Sequence, residues 1–150
     1  MSHETATRMD DPIARFERSH RELEAWIAVL AEKPADVGAR AELLGFLEGA
    51  MLGHEDDEEA SLFPRLAHLP ELAQTIAMLR EEHGSQGRLQ RALREAHDEV
   101  TVARALAGLQ ASYARHFALE ESVVFPATRA ALDGDALRAM TAEMAARRGR

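Results

Sequence analysis

The sequence predicts an all-α protein, an antiparallel up-down-up-down four-helix bundle with a short C-terminal fifth helix. Three observations support this prediction. Apolar residues recur every three or four positions over four long stretches, which is the period of a helix face packed against a core. Strict alternation, the pattern of a half-buried strand, is absent. Short connections separate the stretches, so consecutive helices must run in opposite directions.

We predict the long helices over roughly 12–33, 36–62, 71–98 and 101–124, and the short one over roughly 135–147. Asp11 is the expected N-cap of the first helix, and Pro12 takes the first helical position, where no backbone N–H is needed. Pro64 and Pro126 follow the second and fourth helices and are expected to end them, because proline cannot donate to the helical ladder.

The length of 150 residues suits one domain over 12–150, preceded by a mobile segment over 1–11. The net charge of -8 offers no basic stripe for nucleic acid, and the basic cluster over 147–150 is expected to be a solvated terminus. Disulfides and thiolate metal sites are excluded, because the sequence has no cysteine.

No apolar run approaches the roughly 20 residues needed to cross a bilayer, and the N-terminal residues lack the apolar core of a secretory signal. We therefore expect no membrane and no nucleic-acid partner, a cytoplasmic location, and a monomer or weak homo-oligomer.

An internal repeat relates the two halves of the chain. Residues 54–64 and 116–126 both read H-x3-E-E-x3-F-P, at an offset of 62 residues, and the lone histidines His20 and His83 are 63 residues apart. Each half thus carries a lone His on one helix and a His-x3-Glu pair on the next. The repeat indicates two helical hairpins of one design, related by a pseudo-twofold axis.

Six residues of this repeat fall on the inward seams of the predicted helices, where apolar residues are expected. They are His20, His54, Glu58, His83, His116 and Glu120. A His and a Glu four residues apart share one helix face. Two buried carboxylates and four imidazoles in one layer would be costly without a cation, and no Lys or Arg lies on the seams at this level. The pattern therefore predicts that these six residues bind metal.

Two metal ions fit this set better than one, because two carboxylates are well suited to bridging a pair. Imidazole suits iron and zinc, and carboxylate suits harder ions. We expect two iron ions bridged by an oxo or hydroxo group, with zinc or manganese as substitutes. Two bridging Glu, the solvent-derived bridge and four His leave about one open position on each six-coordinate ion, where O2, peroxide or NO could bind.

These residues resemble the hemerythrin-like, or HHE cation-binding, family. The family pattern H…HxxxE…H…HxxxE matches the six residues, and the Phe-Pro pairs after each HxxxE match too, at Phe63-Pro64 and Phe125-Pro126. The resemblance covers about residues 12 to 147. It implies a four-helix bundle with a non-haem di-iron centre.

The sequence departs from the oxygen-carrying hemerythrins of invertebrates, whose third helix carries two His four residues apart. Here the position four after His83 is Gly87. The four-His, two-Glu set is closer to the bacterial members, some of which are proposed to repair iron centres after nitrosative damage. Those repair proteins carry a cysteine-containing N-terminal segment that this chain lacks.

Two further residues are candidates for tuning the centre. Tyr113 lies on the seam one turn before His116, as a donor beside the site, an added ligand or a core residue with its hydroxyl satisfied. Glu24 lies four residues after His20 at the edge of the seam, as an extra ligand, a residue beside the ligands or a solvated glutamate.

Three functions remain open. The centre could bind or sense O2 or NO, act as an enzyme through catalase-like peroxide disproportionation or NO reduction, or buffer iron. Open positions at both metals favour a di-iron protein that reacts with O2, peroxide or NO over a simple oxygen carrier. The physiological ligand is left undecided between these three small molecules.

Overall fold

A computed structural model describes residues 11–149, and over this range the protein is helical and has no strand. The mobile segment predicted over 1–11 lies, apart from Asp11, outside the described residues. The first, third and fifth helices are uninterrupted: α1 is Pro12–Glu32, α3 is Pro70–Glu95 and α5 is Gly134–Arg148. The predicted all-α fold is confirmed.

The second and fourth helices each combine α-helical and π-helical turns without a break. Helix α2 spans 37–66 and consists of Val37–Phe46, the π-turn Leu47–Met51, Leu52–Asp57, the π-turn Glu58–Leu62 and Phe63–Leu66. Helix α4 spans 99–131 and consists of Glu99–Leu119, the π-turn Glu120–Val124 and Phe125–Ala131.

Aspartates begin four of the five helices. Asp11 accepts a hydrogen bond from the Ile13 N–H at 3.0 Å, as predicted for the start of α1. Asp36 and Asp133 cap α2 and α5 in the same way. Asp98 forms a reciprocal capping box with Thr101 at the start of α4.

Pro64 and Pro126 do not end their helices, so that part of the sequence-based prediction was wrong. Proline lacks the N–H of the helical ladder and crowds the carbonyl four residues before it. A π-turn precedes each proline and takes up one extra residue, so that Phe63 N–H donates to the Glu58 carbonyl and Phe125 N–H to the Glu120 carbonyl. The helices continue past the prolines, and both π-turns begin at a glutamate of the repeated motif.

Two apolar clusters fill the bundle, one at each end. One contains the second half of α1, from Leu23 to Leu30, with Leu93 of α3 and Leu106 of α4. The other contains the start of α1 with the ends of α2 and α4. Since each cluster joins the start of one helix to the end of its neighbour, the four helices alternate in direction, as predicted.

Helix α5 packs against the second apolar cluster through Met140 and Met144. Its last turn brings Arg147 and Arg148 to Asp57, whose side chain is only 1% exposed. Arg147 Nε lies 2.9 Å from Asp57 Oδ1, and Arg148 forms a second pair with the same carboxylate. These two arginines therefore anchor α5 to α2, and the expectation of a solvated basic terminus was wrong for them.

No helix within residues 11–149 combines the length and the apolar character needed to cross a membrane.

We expect Asp57→Asn to lower the free energy of unfolding by about 2–3 kcal/mol, because it leaves the partly buried Arg147 without a counter-charge. The figure is below that for a fully buried pair, since the Arg148 side chain is 49% exposed. Urea unfolding of the metal-free protein, followed by circular dichroism, measures it.

The matched control is Asp135→Asn, which removes an Asp–Arg pair whose two side chains are 88% and 75% exposed. It should leave the unfolding midpoint unchanged. Equal shifts in the two variants would show that the buried position of Asp57 adds nothing.

Candidate metal centre

The structure brings all six sequence-predicted metal residues into one layer between the two apolar clusters. Each of the four long helices contributes: His20 from α1, His54 and Glu58 from α2, His83 from α3, and His116 and Glu120 from α4. The side chain of His83 is 11% exposed, and the other five are almost fully buried. The layer is thus a polar site enclosed by apolar packing.

The six residues form two groups of three, each with two histidines and one glutamate. The ligand atoms within each group lie within 4.8 Å of one another; the groups are His20, His54 and Glu120, and Glu58, His83 and His116. In each group the two histidines come from one hairpin and the glutamate from the other. The carboxylates therefore cross between the two halves of the repeat.

Each carboxylate also reaches both groups. Glu58 Oε1 lies 3.5 Å from His54 Nε2 and 3.3 Å from His83 Nε2. By the pseudo-twofold relation, Glu120 Oε1 lies 3.4 Å from His116 Nε2 and 3.2 Å from His20 Nε2. This is the placement expected of two glutamates that bridge a pair of cations.

The inward-facing atoms have no hydrogen-bond partners. Both carboxylate oxygens of Glu58 and Glu120 are fully enclosed and unsatisfied, as are the Nε2 atoms of His20, His54 and His83. Over the described residues, no Lys or Arg forms an ion pair with either glutamate. Buried carboxylates without donors are costly, so this donor set fits bound cations.

Three further carboxylates hold the outer sides of the histidine rings. Nδ1 of His20 lies 2.8 Å from Glu121, Nδ1 of His83 lies 3.0 Å from Glu59, and Nδ1 of His116 lies 2.9 Å from Glu82; these three distances end on carboxylate oxygens. An ionised carboxylate only accepts, so Nδ1–H donates and the Nε2 lone pair is left for the centre. The outer carboxylates thus set the tautomer that metal ligation requires.

Sequence reasoning did not assign these outer carboxylates. Glu59 and Glu121 are the second glutamates of the repeated H-x3-E-E motif, so the repeat contained a signal for them. Glu82 has no counterpart in the other half, where position 19 is Ser19. Only the packing of α3 against α4 reveals its role.

The pKa values of two histidines of the layer are shifted in opposite directions. Burial, followed by the electrostatic effect of the neighbouring His54, lowers the pKa of His20 to about 2, so the His20 imidazole is neutral near pH 7. For His83, burial acts in the same direction, but the close contact with the Glu58 carboxylate, followed by the charge of Glu55 and the hydrogen bond to Glu59, raises its pKa to about 9. A cation next to His83 would take the place of the proton that these carboxylates attract.

Tyr113 lies beside the layer, with its ring 2% exposed. Its hydroxyl accepts a hydrogen bond from Gln90 at 2.9 Å and donates to Glu55 at 3.4 Å. Burial raises the pKa of Glu55, which follows His54 in sequence, to about 7. Tyr113 therefore contacts Glu55, the residue next to the layer's His54, and its hydroxyl makes one hydrogen bond as donor and one as acceptor.

The structure does not bring Glu24 into the layer. Its side chain is 49% exposed and forms an ion pair with Arg21 at 3.2 Å. Residues four apart share one side of a helix, but Glu24 lies at the exposed edge of that side, and its carboxylate pairs with Arg21 at the surface instead of entering the layer. Gly87 is also exposed, and a Cβ there would meet nothing within 4 Å.

Comparison with known proteins agrees with this geometry. Residues 11–128 match the family described as the hemerythrin HHE cation-binding domain, which confirms the resemblance drawn from the motifs. Neither the curated proteins nor the solved structures gave a significant match. Because the match spans most of the chain and includes all six residues of the layer, the chain belongs to the hemerythrin HHE cation-binding domain family.

Proposed function

We propose that the protein binds two iron ions in the His/Glu layer and there binds or reacts with O2, peroxide or NO. One observation carries the proposal: two enclosed carboxylates without donors each lie between histidines of two three-residue groups. His20, His54, Glu58, His83, His116 and Glu120 are the proposed ligands. Zinc or manganese are the proposed substitutes for iron.

The ligand set supports two cations over one. Each group supplies two imidazoles and one carboxylate oxygen, and the second contact of each glutamate joins the groups. Two glutamate charges in an enclosed layer balance part of the charge of a metal pair. Mixed imidazole and carboxylate donors suit iron.

A bound iron pair would supply redox chemistry and open coordination positions for a small ligand. The chain's own residues orient and isolate that pair. Glu121, Glu59 and Glu82 hold the imidazole rings through Nδ1–H, which also makes the rings more basic donors. The ring of Phe117 stacks on His20 at 3.7 Å between centroids and keeps water from one side.

Reaction with a small molecule is favoured over iron buffering by the enclosure of the layer. A buffer exchanges its metal readily, whereas here the ligands lie between two apolar clusters on four different helices. Iron buffering, or O2 or NO sensing without turnover, is the alternative.

The purified protein should contain about two irons per chain, with the near-ultraviolet absorption of an oxo-bridged ferric pair. His20→Ala should reduce the iron content to about one per chain, because it removes a ligand from one group only. The control His68→Ala changes an exposed loop histidine and should keep both irons. Metal analysis that finds one zinc and no iron after growth in iron-rich medium would contradict the di-iron proposal.

We expect Glu82→Gln to weaken cation binding by about ten- to hundredfold, since a neutral amide supports the His116 imidazole less well than a carboxylate does. Competition with a chromophoric chelator measures the affinity. The neighbouring exposed Glu81 provides the control, and Glu81→Gln should bind cations like the unchanged protein. Equal affinities of both variants would mean that Glu82 does not act through His116.

Mixing the iron-loaded protein with hydrogen peroxide distinguishes catalysis from binding. If the centre is catalase-like, O2 evolves over many turnovers, and a Glu58→Gln, Glu120→Gln double variant that lacks iron evolves none. A spectral change without O2 evolution would favour the binding or sensing alternative. An oxygen electrode and a stopped-flow spectrum give the two readouts.

A further inference from the structure

His54 differs from the other three histidines of the layer at its outer nitrogen. The other three donate Nδ1–H to a carboxylate, but over the described residues no hydrogen bond involves Nδ1 of His54. The ring is nevertheless only 4% exposed. Among the fully enclosed side-chain atoms of the described residues that lack a partner, this ring contributes Nε2 and not Nδ1. The outer nitrogen is therefore accessible to a hydrogen-bond partner from outside the chain.

His54 borders a cavity of about 220 Å³ between α1, α2 and α5. His54, Ser19, Phe16, Asp57 and Arg148 are among the residues that line it. The volume equals that of several water molecules and lies below the range typical of pockets for drug-sized ligands. The cavity therefore fits a ligand of only a few non-hydrogen atoms.

The internal repeat explains why the cavity exists. The offset of 63 residues that relates His20 to His83 also relates Ser19 to Glu82. Glu82 reaches Nδ1 of His116, the repeat counterpart of His54, at 2.9 Å. Ser19 is too short to do the same for His54, and space is left where the other half has a carboxylate.

The charge around the cavity favours an anion. Asp57 contributes one negative charge, but both Arg147 and Arg148 pair with it, and the nearby Glu143 is engaged by Arg65. This cluster keeps one surplus positive charge next to the cavity. Phe16, whose ring lies 4.8 Å from that of His54, adds an apolar wall.

We propose that this cavity binds a small carboxylate such as formate or acetate. The ligand accepts hydrogen bonds from His54 Nδ1–H, the Ser19 hydroxyl and the Arg148 guanidinium. The ligand accepts from Nδ1 of His54 as Glu82 accepts from Nδ1 of His116. It lies on the outer side of the ring and does not touch the metal. The inference rests on the proposed function for the Nδ1–H tautomer of His54, which metal ligation through Nε2 fixes.

Linkage then connects the cavity to the centre. A carboxylate that makes His54 a better ligand raises the cation affinity of its group, and a bound cation raises carboxylate affinity by the same factor. Outer carboxylates of metal-bound histidines change affinity by about ten- to hundredfold when they are removed. The cation affinity is therefore expected to rise with acetate concentration up to a plateau.

The test uses zinc-loaded protein, whose diamagnetic histidine signals can be followed by nitrogen-15 NMR during an acetate titration. We expect saturable shifts at His54 and a rise in zinc affinity of about tenfold at saturation. Ser19→Glu should abolish both effects and bind zinc as tightly as the unchanged protein does with acetate, because the new carboxylate takes the ligand's place.

Two control variants separate the contributions of space and charge. Ser19→Gln fills the cavity without a negative charge, so it should block acetate and leave zinc affinity at the acetate-free value. Ala28→Glu adds a carboxylate on the exposed face of the same helix and should leave acetate binding intact. Conversely, Glu82→Ser opens an equivalent space beside His116, and acetate should restore part of its lost zinc affinity.

Acetate that binds Ser19→Glu as tightly as the unchanged protein would overturn the proposal and indicate direct ligation to the metal. Acetate that shifts no His54 signal would overturn it too. If the protein takes up neither zinc nor iron, the proposed function is wrong, whatever the effect of acetate. In that case acetate is titrated into the metal-free protein, and shifts of the His54 signals would support carboxylate binding in the cavity.

Discussion

The burial of two carboxylates that no donor satisfies is the constraint on which the rest of this structure depends. Glu58 and Glu120 lie between four helices, and both oxygens of each are enclosed without a hydrogen bond. Replacing such groups with apolar residues is often neutral or stabilising in other proteins. Their cost is tolerated because two apolar clusters hold the helices together on either side of the layer. A bound cation turns the same carboxylates from a cost into a contribution, so cation binding and folding are coupled.

Several residues of the repeated H-x3-E-E-x3-F-P motif each have a structural role at the centre. Its proline is preceded by a π-turn that starts at the inward glutamate, a type of local irregularity often found at functional sites. Its phenylalanine packs against the lone histidine of the other hairpin, Phe63 on His83 and Phe125 on His20, with nearly parallel rings. Its second glutamate accepts from that same histidine. Each motif therefore supplies a carboxylate to the layer and supports a histidine from the opposite hairpin.

Much of this could be predicted from the sequence, because the helical period alone tells which residues face inward. His20 and His83 stand where an apolar residue is expected, and the His-x3-Glu spacing places each pair on one face. The grouping of the carboxylates could not be predicted, since it depends on how the two hairpins cross in space. The same holds for Glu82, which acts between α3 and α4, and for Arg147 and Arg148, whose partner Asp57 is some 90 residues away. The prediction for Pro64 was wrong because a π-turn before a proline can accommodate the missing backbone N–H, so that the helix continues.

The two halves of the centre agree in their inner contacts and differ in their surroundings. The distances from Glu58 and Glu120 to the histidines repeat within a few tenths of an ångström. Around them, however, Phe117 stacks on His20, while the repeat-related position 55 is a glutamate whose charge acts on His83. The first group thus has an apolar neighbour and the second an additional carboxylate bound to Tyr113. Because a cation is stabilised by nearby negative charge and destabilised by an apolar surrounding, the two positions are chemically unequal although the motif that builds them is the same.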